Sequence, residues 1–496
     1  MCATATQMRT PTEEDARGLD YIEADYSRPH PLPRYAGLHL VNALRYPTDE
    51  ASIRAAINYI PHFTDEMRRA ERPLRRLMLK EMKRFRVVLP RTLQLAADLH
   101  GSKLESYVDR VPHSVAVVRR LRELRKHAEN GTFPEIPKNG AQFAGALFSV
   151  PGYGKTTGID AVTSLYKDCK LIFHRDLGIW QIPIIQLSMA LLGSTKKSLA
   201  LNLIHEISRA FPIGDYQRLY LKTRLNANQL LLQAFALLQI HAVGHVIVDE
   251  GQGDFQEAAE DLDRDPSDQK TPLSSLLIAG SNQSRVPVFM VGTHELKQSF
   301  GKRLTLRRRS TGIPWGPLSS KVHSGQMSEF DLFFELLWTC QILDVFTPHT
   351  ERLRRLFHFY TYGSPDTLVQ LFTRVQEHAL DFNLPSITEE LVTYVARTYL
   401  ADLTDVAIAL HAKDHPGAKN FLFQISDVRT AYFPNSGPKE FTRTKEALSW
   451  KPEVEVGQFL ESLDAKPGSR RRSKPQQADD DTGASESEPS DAAGKE

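Results

Sequence analysis

Three predominantly apolar runs predict buried strands. They cover residues 146–150, 245–248 and 286–291. A strand covered on both faces is apolar at nearly every position, because neither side meets water. Helical patterns lie between these runs, and strands that alternate with helices are typical of an α/β domain with a parallel sheet.

Elsewhere the apolar positions recur at the three- and four-residue spacing of amphipathic helices. The pattern divides the chain into a polar, proline-bearing extended arm (1–63), a basic helical N-terminal region (64–137), the α/β domain (138–328), a helical lid (329–433) and a charged tail (434–496). The tail segregates its charges and is poor in apolar residues, which predicts disorder because little surface is available to bury.

The first strand runs into a glycine-bearing turn that leads into a helix with Lys-Thr-Thr at its start. In such a turn the backbone N–H groups surround a phosphate, the lysine reaches the β- and γ-phosphates, and the next hydroxyl holds Mg²⁺. The pattern is that of Gly-x-x-x-x-Gly-Lys-[Ser/Thr], with a serine in place of the first glycine. The residues predicted to bind nucleotide are Ser149, Pro151, Gly152, Tyr153, Gly154, Lys155, Thr156 and Thr157.

The second strand ends in two carboxylates, Asp249 and Glu250. Doubly wound sheets bind ligands at the carboxyl ends of their strands. We therefore expect Asp249 to organise magnesium together with Thr156, and Glu250 to orient or activate the attacking water. Alone, an Asp-Glu pair after a strand is more often a turn. About ninety residues after a phosphate loop, it is the expected second half of the site.

Two further features are candidates for contact with the γ-phosphate. Thr293 ends the third strand. Some ATPases have an extra strand between the strand that leads into the phosphate loop and the strand that ends in the acidic pair, and they place a polar residue at the end of that extra strand. Standing alone, Thr293 would instead be a helix N-cap. Arginine offers a donor fork suited to a γ-phosphate across a subunit boundary, and also to nucleic acid or solvent. The arginines in question are Arg307, Arg308 and Arg309.

The N-terminal region is strongly basic between residues 64 and 91, although the net charge of the whole chain is only +2. Its apolar residues recur at helical spacing, which predicts one buried stripe and one basic face. Charge alone carries no sequence code. Three interpretations therefore stay open: a solvated surface, a docking surface for an acidic protein, or a contact with a nucleic-acid backbone.

The cysteine content and the apolar runs of the sequence indicate in which cellular compartment the protein is expected. The three cysteines are widely spaced and support neither a disulfide framework nor a zinc site. A reducing cytoplasm is the expected location. No apolar run approaches the roughly 18 residues of a membrane-spanning helix, and the N-terminus has no apolar signal core. We expect no membrane partner.

Several motifs, taken in their order along the chain, resemble one family. They are the phosphate loop with its doubled threonine and the segments 172–175, 246–250, 286–293, 313–315 and 363–368. Over residues 85–400 this order is similar to that of the TnsC/TniB family of AAA+ transposition regulators. The phosphate loop and acidic strand are common to many NTPases, whereas the later motifs in this order are more specific.

The resemblance implies an AAA+ ATPase that binds ATP and Mg²⁺ and assembles as a ring or filament around double-stranded DNA. It also implies two kinds of protein partner, transposase subunits and a target-selector protein. By motif position, the implied roles are ATP and magnesium binding for Lys155 and Thr156, metal binding and hydrolysis for Asp249 and Glu250, a first sensor for Thr293, and an arginine finger in trans for Arg308 or Arg309. The implied DNA contacts are Lys196 and Lys197, with Lys222 and Arg224 as weaker candidates.

Two other functions remain open. A signalling or defence ATPase would use the same phosphate loop without DNA, and Lys196 and Lys197 would then be ordinary surface. A helicase-loader-like remodeller would instead act on a replicative helicase. The lid segment 363–366 offers no arginine where many AAA+ proteins place a second sensor, so we expect no contact from Asp366 to a γ-phosphate.

Overall fold

The computed structural model describes residues 18–130, 143–188, 196–221, 225–249, 273–293, 312–320, 327–403 and 407. Some of the residues chosen from the sequence lie outside these ranges, namely Lys222, Arg224, Glu250, Arg307, Arg308 and Arg309. The predicted tail, 434–496, lies outside them as well.

The strands of the described ranges form two sheets. In chain order they are β1 (Ile22–Glu23), β2 (Phe143–Phe148), β3 (Ile172–His174), β4 (Ile179–Gln181), β5 (Ile185–Ser188), β6 (Val246–Asp249), β7 (Val288–Gly292) and β8 (Gly312–Pro314). The larger sheet has the order β5-β6-β7-β2-β8, and every neighbouring pair in it is parallel. The smaller sheet has the order β1-β3-β4.

The order of the larger sheet identifies the class of α/β domain. β7 lies between β2, which leads into the phosphate loop, and β6, which ends in Asp249. This is the extra strand between the two motif strands that the sequence predicts. The predicted fold class, an AAA+ P-loop α/β domain with helical N-terminal and C-terminal regions, is confirmed.

Helices make up most of the rest of the described chain. In chain order they are α1 (Pro33–Ala36), α2 (His39–Asn42), α3 (Glu50–Ile57), α4 (Asp65–Arg69), α5 (Arg72–Met78), α6 (Pro90–Val108), α7 (Val115–Asn130), α8 (Lys155–Ser164), α9 (Lys196–Ala210), α10 (Tyr216–Leu221), α11 (Ala227–Ile240), α12 (Leu273–Ser284), α13 (Glu329–Trp338), α14 (Glu351–Thr361), α15 (Pro365–Asp381) and α16 (Glu389–Tyr399).

Helices cover both faces of the larger sheet. One face packs against α9, α11 and α12, with Leu203 and Leu231 in the core. The opposite face packs against α6 and α8, with Leu95 and Ile159 in the core. Every residue of β6 and β7 is buried, which explains why these strands lack the alternation of a half-exposed strand.

The segment predicted as an extended arm differs from that prediction from Gly18 onward. β1 pairs in parallel with β3, and the Tyr26 hydroxyl lies 2.7 Å from His174 Nδ1. Tyr35 and Leu40 in the following short helices are buried. Aromatic and aliphatic side chains spaced among the prolines therefore provide enough apolar surface to hold this segment against the domain.

Several basic residues of the N-terminal region contact the chain's own lid. We call residues 64–84 the strap; it contains α4, α5 and the 3₁₀ helix Leu79–Arg84. The ion pairs between strap and lid are Arg75 with Asp344, Arg76 with Asp381 and Lys80 with Glu377. These three basic residues therefore pair within the chain, and the three interpretations of the basic region stay predictions.

The lid is helical, as predicted, and consists of α13 to α16 within the described ranges. A serine or threonine caps each of these helices by accepting a hydrogen bond from a backbone N–H in the first turn. The caps are Ser328, Thr350, Ser364 and Thr388. The part of the predicted lid beyond residue 407 lies outside the described residues.

Within the described ranges, we find no helix that combines the length and apolar character needed to cross a bilayer.

Candidate functional site

The phosphate-loop sequence adopts a turn that depends on two glycines. Gly152 has φ of 83° and Gly154 has φ of 78°, both in the left-handed region. Residues with a Cβ are disfavoured there by about 1–2 kcal/mol. Ser149, which replaces the first glycine of the motif, does not have a positive φ and therefore needs no glycine. α8 begins at Lys155, directly after Gly154.

The lysine side chain folds back across the loop. Lys155 Nζ donates hydrogen bonds to the backbone oxygens of Ser149, at 2.8 Å, and Val150, at 3.0 Å. The ammonium group is thereby held between the end of β2 and the start of α8. A positive charge at a helix N-terminus inside a glycine turn is suited to a phosphate.

A hydrogen bond joins the helix after the phosphate loop to the second motif strand. Thr156 Oγ1 donates to Asp249 Oδ2 at 3.0 Å, joining the first turn of α8 to the end of β6. Asp249 is 6% exposed. Mg²⁺ prefers oxygen ligands and commonly takes one or two protein groups plus water and phosphate oxygens. The hydroxyl and carboxylate therefore fit magnesium.

Thr293 lies at the same edge of the sheet. It directly follows β7 and is buried, and the backbone N–H of Ser149 donates to the Gly292 carbonyl at 3.2 Å. The structure thus places Thr293 next to the base of the phosphate loop. The residues that Thr293 would cap as a helix N-cap, from His294 onward, lie outside the described residues.

The remaining candidate residues are placed only in part. Lys196 and the exposed Lys197 begin α9, the helix after β5. The last residue of β5, Ser188, pairs with Asp249 at the carboxyl edge of the sheet. Glu250, Lys222, Arg224, Arg308 and Arg309 lie outside the described residues, so their predicted roles stay predictions.

A cavity of about 560 Å³ adjoins the phosphate loop. Its walls come from the strap and the segment after it, from the loop and the first turns of α8, and from α15. Its lining includes Lys80, Phe85, Val87, Tyr153, Gly158, Trp315, Asp366 and Gln370. Small-molecule sites commonly measure about 300–1,000 Å³, so this cavity is large enough for a nucleoside.

Two contacts to the loop come from residues that the sequence motifs do not single out. Trp315 Nε1 donates to the Tyr153 carbonyl at 2.7 Å. Ser364 Oγ donates to the Gly152 carbonyl at 3.2 Å. Both side chains are buried. Both belong to segments that carry the family resemblance, 313–315 and 363–368. The sequence shows a tryptophan and a serine in these segments, but it does not indicate that they contact the phosphate loop.

Arg91 packs against the Trp315 ring. Its guanidinium lies 5.3 Å from the centroid of the Trp315 ring, and its Nη1 donates to the Gly316 carbonyl at 2.6 Å. Glu329 is within ion-pair distance at 3.2 Å, although the two groups are not aligned for a hydrogen bond. Burial lowers the pKa of Arg91, and Glu329 opposes that shift.

Several solved structures are similar to the chain at low identity. A point mutant of RuvB from Thermotoga maritima is 11% identical and covers 68% of this chain and 83% of its own, with a TM-score of 0.31. Drosophila ORC bound to DNA is 14% identical and covers 75% of this chain and 84% of its own, with a TM-score of 0.31. Aeropyrum pernix ORC2, in ADPNP-ADP complexes, is 15% identical and covers 72% of this chain and 88% of its own, with a TM-score of 0.31.

No protein-family model matches the chain, and no curated protein matches it in sequence. At TM-scores near 0.31, the likeness to the solved structures decides neither fold nor function. The assignment of the fold rests on the strand order, the two-glycine turn and the contact between Thr156 and Asp249.

Proposed function

We propose that the chain is an ATPase that binds ATP with Mg²⁺ and hydrolyses it to ADP and phosphate. The observation that carries the proposal is the Thr156–Asp249 hydrogen bond beside Lys155 at the carboxyl edge of a parallel sheet. Lys155 binds the β- and γ-phosphates, and Thr156 and Asp249 hold the metal. Bound Mg²⁺ neutralises charge that develops on the phosphate oxygens.

Hydrolysis needs groups that act on water and on the γ-phosphate. In the proposed reaction Glu250 accepts a proton from the attacking water, whose oxygen forms a bond to the γ-phosphorus as the β,γ-bridging bond breaks. Thr293 contacts the water or the γ-phosphate. Arg308 or Arg309 of a neighbouring copy stabilises the transferred group, which makes ATP a link between protomers.

The ATPase proposal is tested by removing the lysine or the carboxylate. We expect Lys155→Ala to abolish measurable ATP binding, because the phosphates lose their positive partner. We expect Asp249→Asn to lower kcat by about 100-fold or more, a typical loss for one electrostatic group. The matched control is Lys170→Ala, an exposed lysine in the same domain. Full hydrolysis by Lys155→Ala would contradict the proposal.

We further propose that ATP binding drives assembly on double-stranded DNA and that the assembly regulates transposition. The order of motifs between residues 85 and 400 supports this proposal, as does the position of Lys196 and Lys197 after a strand that ends beside Asp249. Transposase subunits and a target-selector protein are the proposed protein partners, and a ring or filament is the proposed assembly.

DNA binding is tested by fluorescence anisotropy with duplex DNA and a non-hydrolysable ATP analogue. We expect binding that falls steeply with salt, because phosphate contacts release counterions. Replacing Lys196 and Lys197 with glutamate should reduce affinity by at least about tenfold. The matched control is the double glutamate variant of Lys167 and Lys170, two exposed lysines.

The same experiment separates a DNA-dependent ATPase from a signalling ATPase. Nucleotide binding without any DNA effect would favour a signalling ATPase, and it would overturn the transposition proposal while leaving the ATPase proposal intact. Imaging of the protein with the analogue, with and without duplex DNA, then shows whether DNA templates the assembly.

A further inference from the structure

Two successive carbonyl groups of the phosphate loop are held from outside the loop. The Gly152 oxygen accepts from Ser364 Oγ at 3.2 Å and from the Asp366 backbone N–H at 3.4 Å. The Tyr153 oxygen accepts from Trp315 Nε1 at 2.7 Å. The donors come from the first turn of α15 and from the segment after β8, so two separate parts of the fold act on adjacent peptide groups.

A carbonyl held in this way also orients the next amide. In a trans peptide the C=O and the following N–H are coplanar and point in opposite directions. The donor on Gly152 therefore fixes the direction of the Tyr153 N–H, and the donor on Tyr153 fixes that of the Gly154 N–H. A phosphate-binding loop requires its amides to converge on the anion.

We propose that Trp315 and Ser364 are positioning residues that aim the Tyr153 and Gly154 amides at the nucleotide phosphates. The proposal rests on the proposed ATP binding and deepens it. Each of the two side chains acts on the side of the peptide group opposite to the phosphate, so the loop is oriented before the ligand arrives.

The surroundings of Trp315 are built for this contact. A Cβ at Gly158 would lie 2.7 Å from the Trp315 ring, so only glycine lets the ring lie against the first turns of α8. Arg91 covers the ring from α6, with its guanidinium 5.3 Å from the ring centroid. The indole is 6% exposed, so its N–H donates in a site that excludes water.

Ser364 links the same loop to the lid. Its hydroxyl donates to Gly152 and also accepts from the Thr367 N–H, at 3.3 Å, as the N-cap of α15. The preceding residue, Gly363, approaches the Leu318 backbone so closely that a Cβ would lie 2.6 Å from its oxygen. The segment after β8 and the start of α15 are therefore packed together, and both reach the loop.

The test compares two tryptophan variants that lose the same kind of hydrogen bond. Trp315→Phe keeps an aromatic ring but removes the donor to Tyr153. Trp338→Phe removes an equivalent 2.7 Å bond to the Thr347 carbonyl within the lid. We expect Trp315→Phe to raise the Kd for ATP about threefold to tenfold, the value of one net hydrogen bond, and Trp338→Phe to leave it unchanged.

A second pair repeats the comparison at the other carbonyl. Ser364→Ala removes a helix cap and the donor to Gly152, whereas Thr388→Ala removes a cap on α16 and a hydrogen bond to Glu390, both within the lid. Both should lower thermal stability to a similar degree. We expect only Ser364→Ala to raise the Kd for ATP, which keeps the test valid even if Trp315→Phe fails to fold.

Steady-state hydrolysis distinguishes positioning from general damage. Amides that bind phosphate equally in ground and transition states affect KM and leave kcat nearly unchanged. We expect a higher KM and a kcat within about twofold of the wild-type value. A lower kcat with unchanged KM and Kd, or equal Kd values for each variant and its control, would overturn the inference. Absence of ATP binding by the wild-type protein would instead overturn the proposed function itself.

Discussion

Lys103 places an amine in the core of the molecule. Its side chain is 1% exposed, and its Nζ lies 3.2 Å from the centroid of the Tyr166 ring. Among the described residues the amine has no hydrogen-bond partner. Burial holds the pKa of Lys103 well below its ordinary value, and the nearby Cys169 opposes that shift. The aromatic ring face offsets only part of the cost of burying the charge.

We expect Lys103→Met to stabilise the protein by about 1–3 kcal/mol at pH 7, the cost of burying a polar group without a partner. This gain in unfolding free energy should grow as the pH falls below the ordinary pKa of lysine. In that range Lys103 of the unfolded wild-type chain binds a proton, whereas the folded core disfavours the charged form. Urea unfolding at pH 6 and pH 9 measures the difference. Lys167→Met, at an exposed position, should change little; a loss of stability in Lys103→Met would contradict the expectation.

Among the elements, the strap determines how the N-terminal region relates to the lid. Its basic residues differ in burial: the Arg75 side chain is 6% exposed, and that of Arg76 is 46% exposed. Both pair with lid carboxylates that are about half exposed, at 52% for Asp344 and 42% for Asp381, so the two pairs differ in the burial of the arginine. Arg75 also reaches the Ile342 carbonyl, at 3.4 Å. The buried arginine therefore contacts the lid through both a carboxylate and a carbonyl.

We expect Arg75→Ala to cost about 2 kcal/mol of unfolding free energy, as for a buried charged hydrogen bond. Arg76→Ala should cost at most about 1 kcal/mol, because its ion pair is half exposed. The two variants form a matched comparison within one short helix, and urea unfolding measures both. Equal losses of unfolding free energy would show that burial of the arginine does not determine how strongly the strap is held to the lid.

On the scale of the whole molecule, three distant segments enclose one cavity. The strap, the phosphate loop and α15 all line it, and the segment after β8 joins them through Trp315 and Leu318. A ligand in this cavity would touch the N-terminal region, the α/β domain and the lid together. A ligand bound there would therefore be placed to affect the relative positions of all three.

Much of this arrangement could be predicted from local sequence. The phosphate turn follows from Gly152 and Gly154, and the parallel sheet from uninterrupted apolar runs, because both depend on a few neighbouring residues. β1 could not be predicted in the same way. Ile22 and Glu23 form too short a segment to carry a pattern, and their pairing with Ile172 and Phe173 bridges about 150 residues.

The sequence by itself determined the chemistry available at the edge of the sheet: a glycine turn, a lysine, a hydroxyl and a carboxylate, each at a strand end. Only the tertiary structure decided what surrounds them. The donors to the Gly152 and Tyr153 carbonyls lie 212 and 162 residues away along the chain, and the acidic partner of the basic strap is the lid. Local patterns report which face of an element is buried, whereas the partner across that face is chosen by the packing of the whole chain.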